Sequence, residues 1–364
     1  MNIRRRVAII KAVGNACNLR CRYCFYSGSD QRKLEVMDEG LLESFFQQYF
    51  ELFPDHAKFV WHGGEPLLAG IEFYENAIRL QKKYMKVGGA VENLIQTNAT
   101  LIDAEWARFF KEKSFRVGVS IDGGRESHNR QRLNVAGKGS FDEVVRGIAE
   151  LRRCSVHFGA IQTLTKSNVA ALREDIRFFL DELKISGWSV NLFSESSSAQ
   201  CGLAEESLQV EDVAVAFSLI ISEWLERDDA SLRLREVENF VAGAMGRRAK
   251  TCSFNGTCAN YFCLDASGLV WPCDRLSGNP RFLLGDLREQ PLRTILSGEA
   301  SERHAACAAE LSSDCHACKW KSACHNGCTA LRDPLSKKYV FCEARQGAFS
   351  AVEALLTSSL AAKQ

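Results

Sequence analysis

From residue 7 to about residue 194 the sequence alternates short β-branched or apolar runs with longer amphipathic stretches, and no other pattern in the chain restricts the fold as much. A run of period two followed by a stretch of period 3.6 reads as a strand followed by a helix, and repetition of that unit gives parallel strands covered by helices. The expected strands are Val7–Val13, Lys58–His62, Asn93–Thr97, Arg116–Asp122, Val156–Leu164 and Trp188–Phe193. Between them, Leu41, Leu42, Phe45, Phe46, Tyr49, Phe50 and Phe53 fall on one helix face with Asp38 near its start, the pattern of ordinary core packing. Six such units imply an α/β fold, a partial (β/α)6 TIM-like barrel rather than the closed eight-unit form. Functional residues should then gather at the C-terminal ends of the strands.

The pattern changes after the polar stretch that begins at Ser194. Two expected helices, about Val210–Glu226 and Leu234–Met245, lead into cysteine-rich sequence without β-α alternation, and the domain change is placed near Cys252. The expected organisation is a barrel over 1–205, a helical linker over 206–248 and a cysteine-rich domain over 249–364. Lysine plus arginine (46) nearly balances aspartate plus glutamate (45), so no field of one sign is available to hold a nucleic acid or an acidic membrane surface. The opening apolar run ends at Lys11, too soon for a signal peptide, and no stretch approaches membrane-spanning length. A cytoplasmic chain with fifteen cysteines favours metal ligation over disulfides.

Cys17-Asn-Leu-Arg-Cys21-Arg-Tyr-Cys24 places three thiols directly after the first expected strand. Structural zinc sites and closed iron–sulfur clusters want four protein ligands, so three leave one metal position open for an outside ligand. A zinc knuckle completed by a remote residue is the alternative on ligand type alone. Gly63-Gly64-Glu65-Pro66 follows the second strand, Gln96-Thr97-Asn98 ends the third, Ser120-Ile-Asp122-Gly123 ends the fourth, and His128-Asn-Arg-Gln-Arg132 comes after it. Each alone reads equally as a turn, a cap or a solvated loop.

Their order resembles the radical S-adenosylmethionine (radical SAM) superfamily, whose signature is this C-x-x-x-C-x-x-C. The resemblance implies a [4Fe–4S] cluster on Cys17, Cys21 and Cys24 whose open iron chelates the methionine end of S-adenosylmethionine, with reductive cleavage to a 5′-deoxyadenosyl radical. It also implies cofactor contacts from Tyr23 to the adenine, from Gly63, Gly64 and Glu65 to the methionine moiety, from Ser120 and Asp122 to the ribose, from Arg132 to the carboxylate, and from Asn98.

The C-terminal cysteines are Cys252, Cys258, Cys273, the run Cys315-x-x-Cys318-x5-Cys324-x3-Cys328, and Cys342. Eight thiols suit two four-ligand sites, and on ligand type alone Cys315-His-Ala-Cys318 suits a zinc ribbon as well. The array resembles the SPASM extension of peptide-modifying radical enzymes. That resemblance implies two auxiliary clusters, hence three [4Fe–4S] clusters in all: one on Cys252, Cys258, Cys273 and Cys328, and one on Cys315, Cys318, Cys324 and Cys342. Closed clusters of this kind imply electron transfer. Cys154, Cys201, Cys263 and Cys307 remain as expected buried thiols.

Asp274 follows Cys273, at the place where anaerobic sulfatase-maturating enzymes carry a proton-accepting aspartate, and Tyr26, the Glu105-Trp-Ala-Arg-Phe-Phe run and the Gly137-Lys-Gly-Ser-Phe segment match that family too. The implied reaction is removal of a Cβ hydrogen from a peptide residue. Those maturases have glutamine where His62 stands, glycine where Ala99 follows the Gln-Thr-Asn, and aspartate where Asn129 stands. His62-Gly-Gly-Glu-Pro-Leu-Leu, His-Asn-x-x-Arg and Pro-Cys-Asp-Arg are more similar to maturases of ribosomally made peptides, including those that cross-link an aromatic ring to a Cβ carbon. Cross-linking of a precursor peptide is therefore the expected reaction and formylglycine formation from cysteine or serine the alternative. His62 is a candidate substrate contact, and no separate leader-binding module is read from the sequence, so a leader is expected to dock on the barrel or the extension. A flavodoxin or ferredoxin is the expected reductant. A cluster-bearing or zinc-stabilised protein without catalysis would explain the eight C-terminal cysteines but not a three-cysteine site beside Glu65, Ser120 and Asp122.

Overall fold

A computed structural model of the chain describes residues 4–26, 33–195 and 202–361. The strands are β1 (Val7–Lys11), β2 (His56–Trp61), β3 (Ala90–Thr97), β4 (Arg116–Ser120), β5 (Phe158–Leu164), β6 (Gly187–Leu192), β7 (Arg233–Leu234), β8 (Tyr261–Asp265), β9 (Leu269–Trp271) and β10 (Gly285–Asp286). The helices used below are α1 (Glu39–Leu52), α2 (Ile71–Tyr84), α3 (Ala104–Glu112), α4 (Arg125–Gln131), α5 (Phe141–Arg153), α6 (Val210–Arg227), α7 (Arg235–Ala244) and α8 (Cys342–Ala361). The chain packs as two units, residues 1–120, 132–158 and 259–306 in the first, and residues 121–131, 159–258 and 307–364 in the second.

In the first unit the strand order is β10-β9-β8-β1-β2-β3-β4. Strands β1 to β4 run parallel, with Ile10 opposite Trp61, Val60 opposite Leu94 and Ile95 opposite Val117. Helices α1, α2 and α3 make the crossovers that parallel pairing requires. Asp38 caps α1 by accepting from the Leu41 amide at 2.8 Å. The apolar face of α1 is buried as its periodicity implies, and its rings meet Phe59 of β2 with centroids 5.2 Å away for Phe46 and 5.0 Å for Tyr49. In the second unit β5, β6 and β7 run parallel, and Phe240 of α7 packs between Phe217 of α6 and Phe349 of α8 at 5.0 and 5.1 Å.

All six strands read from the sequence form, within a mixed α/β architecture built on a parallel sheet. Two stop two residues early: β1 ends at Lys11 because its carbonyl closes a turn with the Gly14 amide (3.0 Å), and β4 ends at Ser120, ahead of Gly123 at φ +118°; β2 and β6 each stop one residue early. A hairpin within the cysteine-rich segment was not legible. Strand β8 pairs parallel with β1 over Val7–Lys11 and Tyr261–Asp265, and β9 returns antiparallel beside it. Phe262 of β8 is fully buried, its ring 6.2 Å from Phe45 and 6.3 Å from Tyr49. The aromatic face of α1 thus holds a strand drawn from far along the chain. Of the four leftover cysteines, Cys263 is buried on β8 and Cys154 is half-buried, whereas Cys307 is exposed on its helix rather than packed, and Cys201 lies outside the described residues.

Phe262→Ala is expected to destabilise the chain by about 3–5 kcal/mol through the cavity it leaves beneath α1, read as a lower midpoint of urea unfolding. Phe262→Leu, which keeps most of the volume, should recover more than half of that loss.

Candidate active site

The loop after β1 and the turn after β2 are built into one another. The Gly64 amide donates to the Gly14 carbonyl (3.0 Å) and the Glu65 amide to the Ala16 carbonyl (2.8 Å). A Cβ on Gly64 would stand 1.8 Å from the Ala16 oxygen, and Gly63 lies at φ +112°, so the approach requires both glycines. Glu65 is fully buried, and its carboxylate accepts from the Leu67 amide (3.0 Å), the Thr97 hydroxyl (2.7 Å) and the Asn98 amide (2.8 Å). Burial outweighs these donors and raises its carboxyl to about 6. The Asn98 side chain donates to Asn18 Oδ1 (2.9 Å) and toward Cys17 Sγ (3.8 Å). The end of β3 therefore fixes both Glu65 and the cysteine loop.

In that loop the Leu19 amide donates to Cys17 Sγ (3.3 Å) and the Cys24 amide to the Cys21 carbonyl (3.1 Å). Burial, then the charge of Glu65, raises the Cys17 thiol to about 12, and Cys21 and Cys24 push the same way. Thiols that oppose one another's ionisation become thiolates together only around a cation, so the donor set fits a metal cluster. Tyr23 is buried with the Arg132 guanidinium 5.5 Å from its ring centroid, which brings two of the expected cofactor contacts together. Ser120 accepts from Gln96 Nε2 at 2.8 Å.

Asp122 is fully buried in the second unit, where it accepts from the Thr163 amide at 2.9 Å. Beneath the same loop lies Asp175, which no sequence motif singles out. It accepts from the Gly124 amide (2.9 Å) and from Gln162 Nε2 (3.3 Å). A Cβ on Gly123 would meet its carboxylate at 2.1 Å. Burial raises the Asp175 carboxyl to about 6, and the neighbouring charge of Asp122 adds to the rise.

Asp274, Tyr26 and His62 meet in the first unit. The Tyr26 hydroxyl donates to Asp274 Oδ1 at 2.5 Å, and His62 Nδ1 lies 3.4 Å from Asp274 Oδ2. His62 Nδ1 also accepts from the Gly63 amide at 2.7 Å. One nitrogen cannot accept from the amide and donate to the carboxylate at once, so Nδ1 accepts from the amide when it is unprotonated and pairs with Asp274 when it carries a proton. Burial lowers the basicity of the imidazole, yet Asp274 overrides it and leaves His62 above its ordinary value. Burial pushes Asp274 up, while His62 and Lys11 together hold it well below the usual carboxylate range. Burial, then the charge of Asp274, drives Tyr26 well above the ordinary phenol value. Lys11, another residue the sequence did not mark, is buried with its ammonium 4.0 Å from the Tyr26 ring centroid and donates to Asn15 Oδ1 (2.6 Å) and Ser277 Oγ (3.1 Å). Its one signal was a lysine closing an apolar strand.

Cys315, Cys318, Cys324 and Cys342 line one cavity of the second unit, together with Arg345 and Gln346. Among the described residues no three His, Cys, Asp or Glu side chains converge as they would on a single metal ion. Zinc gathers its thiolates at about 2.3 Å from one centre, whereas a cluster spreads them over separate irons, so thiols that line a cavity without converging fit a cluster better. Cys252 and Cys258 are hydrogen-bonded, which lowers the Cys258 thiol to about 6 against its burial, and the Thr329 hydroxyl donates to Cys258 Sγ at 3.6 Å. Cys328 belongs to this second unit, and Cys273 to the first.

Two expectations follow. A carboxyl raised from 3.8 to about 6 favours the fold below the lower value and loses that contribution as pH rises through the upper one. Asp175→Asn should therefore flatten the decline in stability between about pH 4 and 6, a difference of at most roughly 3 kcal/mol, measured by urea unfolding at both ends of that window. Ala99, at φ +62°, occupies backbone that favours glycine, so Ala99→Gly should stabilise by up to about 1 kcal/mol, seen as a higher thermal midpoint.

Residues 12–179 match the family model of the radical SAM superfamily, and residues 252–325 match that of SPASM, described as an iron–sulfur cluster-binding domain. The cysteine-type anaerobic sulfatase-maturating enzyme of Clostridium perfringens is 29% identical over 335 residues, covering 89% of this chain and 89% of that enzyme. The serine-type enzyme of Bacteroides thetaiotaomicron is 30% identical over 344 residues, covering 89% of this chain and 82% of its own. The solved structure of native anSMEcpe with bound AdoMet and Cp18Cys peptide superposes with a TM-score of 0.87 at 25% identity, over 97% of this chain and 99% of that one. No described helix is long and apolar enough to cross a membrane. The chain belongs to the radical SAM superfamily, carries a SPASM iron–sulfur cluster-binding domain, and is a radical SAM enzyme.

Proposed function

We propose that the chain oxidises the Cβ carbon of a cysteine or serine in a peptide or protein to formylglycine, and the observation that carries this reading is the Tyr26–Asp274 pair in a chain similar throughout to sulfatase maturases. When bound, S-adenosylmethionine on a [4Fe–4S] cluster supplies hydrogen abstraction and auxiliary clusters supply one-electron acceptors. Cys17, Cys21 and Cys24 would hold the first cluster, Cys252, Cys258, Cys273 and Cys328 the second, and Cys315, Cys318, Cys324 and Cys342 the third. Glu65, Asn98, Ser120, Asp122, Arg132 and Tyr23 would surround the cofactor. A flavodoxin or ferredoxin would supply the electron.

Asp274 is the base in this reading. Its neighbours keep it ionised but weakly basic at rest. A substrate side chain that displaces Tyr26 or His62 from it restores basicity where the proton is to be taken, and a base nearer the working pH transfers protons faster. The peptide-bound relative supports a peptide substrate.

Cross-linking, the reading the motifs favour, is supported by the departures at His62 and Asn129. Where the maturases carry glutamine, this chain sets a titratable ring 3.4 Å from the base. The Ala99 departure loses its weight, because the alanine keeps the left-handed backbone that a glycine would adopt (φ +62°).

The test is anaerobic turnover of cysteine- and serine-containing peptides with S-adenosylmethionine and reductant, followed by mass spectrometry and hydrazide capture. An aldehyde supports formylglycine; loss of two hydrogens without hydrazide reactivity supports the cross-link. Asp274→Asn should lower product at least about a hundredfold, the lower range for a general base, while 5′-deoxyadenosine release persists. Unchanged product formation would remove Asp274 from the chemistry.

A further inference from the structure

Arg345 of α8 is 3% exposed, and its guanidinium is sandwiched between Phe254 and Tyr339, 4.0 and 4.3 Å from their ring centroids. Nη1 donates to the Ser253 carbonyl (2.7 Å) and to Cys324 Sγ (3.7 Å), and Nη2 to the Tyr339 hydroxyl (3.2 Å). Its Nε is buried with no hydrogen-bond partner among the described residues. The acidic side chains nearby, Asp314 and Glu343, are engaged by Lys338 at 2.9 and 2.6 Å. Arginine does not give up its proton in a protein interior, and a buried charge without a counter-charge is strongly unfavourable. The available counter-charge is the thiols around it, the four of the cavity that Arg345 lines together with Cys328. Gln346, the next residue, aims Nε2 at Cys318 Sγ (3.5 Å) and Cys342 Sγ (3.6 Å).

We infer that Arg345 is the buried counter-charge of the cluster held by Cys315, Cys318, Cys324 and Cys342, and that with the Gln346 hydrogen bonds it raises that cluster's reduction potential. This rests on the cluster assignment proposed above. A [4Fe–4S] cluster on four thiolates is negative and gains one further negative charge, with no proton, on reduction. A fixed cation and N–H donors beside its sulfurs favour the reduced form. The arrangement suits a site that takes one electron from an oxidised substrate and is itself reduced by one.

The experiment is a redox titration followed by electron paramagnetic resonance on the reconstituted full chain. Cys17, Cys21 and Cys24 are replaced by alanine so that the C-terminal signals stand alone, and the signal of interest is assigned by its loss in Cys318→Ser. The unmodified chain should hold about twelve irons, four per cluster; fewer would refute the cluster assignment itself, separately from this inference. Arg345→Gln is expected to shift the reduction equilibrium about tenfold toward the oxidised form, about 59 mV for one electron, and Arg345→Lys to stay within about threefold of the parent. A glutamine variant with full iron and an unmoved midpoint overturns the inference, as does a lysine variant that shifts as far as the glutamine one. Loss of about four irons in Arg345→Gln but not in Arg345→Lys supports it, because charge alone separates them. Loss in both assigns Arg345 to packing and overturns it.

Discussion

The parallel ladder between Val7–Lys11 and Tyr261–Asp265 is the contact on which the proposed chemistry depends. It joins the strand that launches the cysteine loop to the first strand of the hairpin whose second strand, β9, leads into Cys273 and Asp274. Closing so long a stretch of chain is less costly than it looks, since loop entropy grows only with the logarithm of length. The rings of α1 supply the compensating burial, because Phe45 and Tyr49 pack on Phe59 of β2 and on Phe262 of β8 alike. Lys11, at the end of the ladder, then reaches Ser277 in the segment beyond β9 and lies over Tyr26 beside the third cysteine. One strand pairing thereby sets where a base can stand.

The electrostatics of the first unit follow from that placement. Asp274 is half-buried beside an ammonium and an imidazole, and Glu65 is fully buried with hydrogen bonds from neutral donors only. The same residue chemistry gives opposite shifts because one carboxylate has cations for neighbours and the other has amides and a hydroxyl. Asp274 is held as the carboxylate by its neighbours, whereas Glu65 takes a proton more readily than an ordinary glutamate.

The strands and the α1 face were legible because period and apolarity are local properties: Leu41 to Phe53 mark a helix face whatever surrounds them. The cysteine triplet and the Gly-Gly-Glu-Pro turn were legible because ligand number and close backbone approach constrain residue type directly, as the Ala16 carbonyl pressed on Gly64 shows. Strand β8 was not, since its neighbour β1 lies at the other end of the sequence and no local pattern encodes a partner. Asp175, Lys11 and Arg345 were hidden for a related reason. Each is a charged residue in ordinary helix or strand sequence, and only its burial beside a loop, a tyrosine or a thiol makes it unusual.

Departures from the maturase pattern weigh differently once the backbone is known. Ala99 replaces a glycine yet keeps φ at +62°, so the backbone that presents Asn98 and anchors Glu65 needs no change. His62 is different in kind. Glutamine at that place could donate to Asp274 but never titrate, whereas the imidazole exchanges the Gly63 amide for the carboxylate when it takes a proton. A substrate that approaches Asp274 therefore meets a carboxylate held by Tyr26, with or without a protonated imidazole paired to it. The difference acts on the step after hydrogen abstraction, where a thiol or hydroxyl that must lose its proton and an aromatic ring that must lose its own make unequal demands on the base. His62 is thus the side chain of the first unit through which this site can differ most from one built around glutamine.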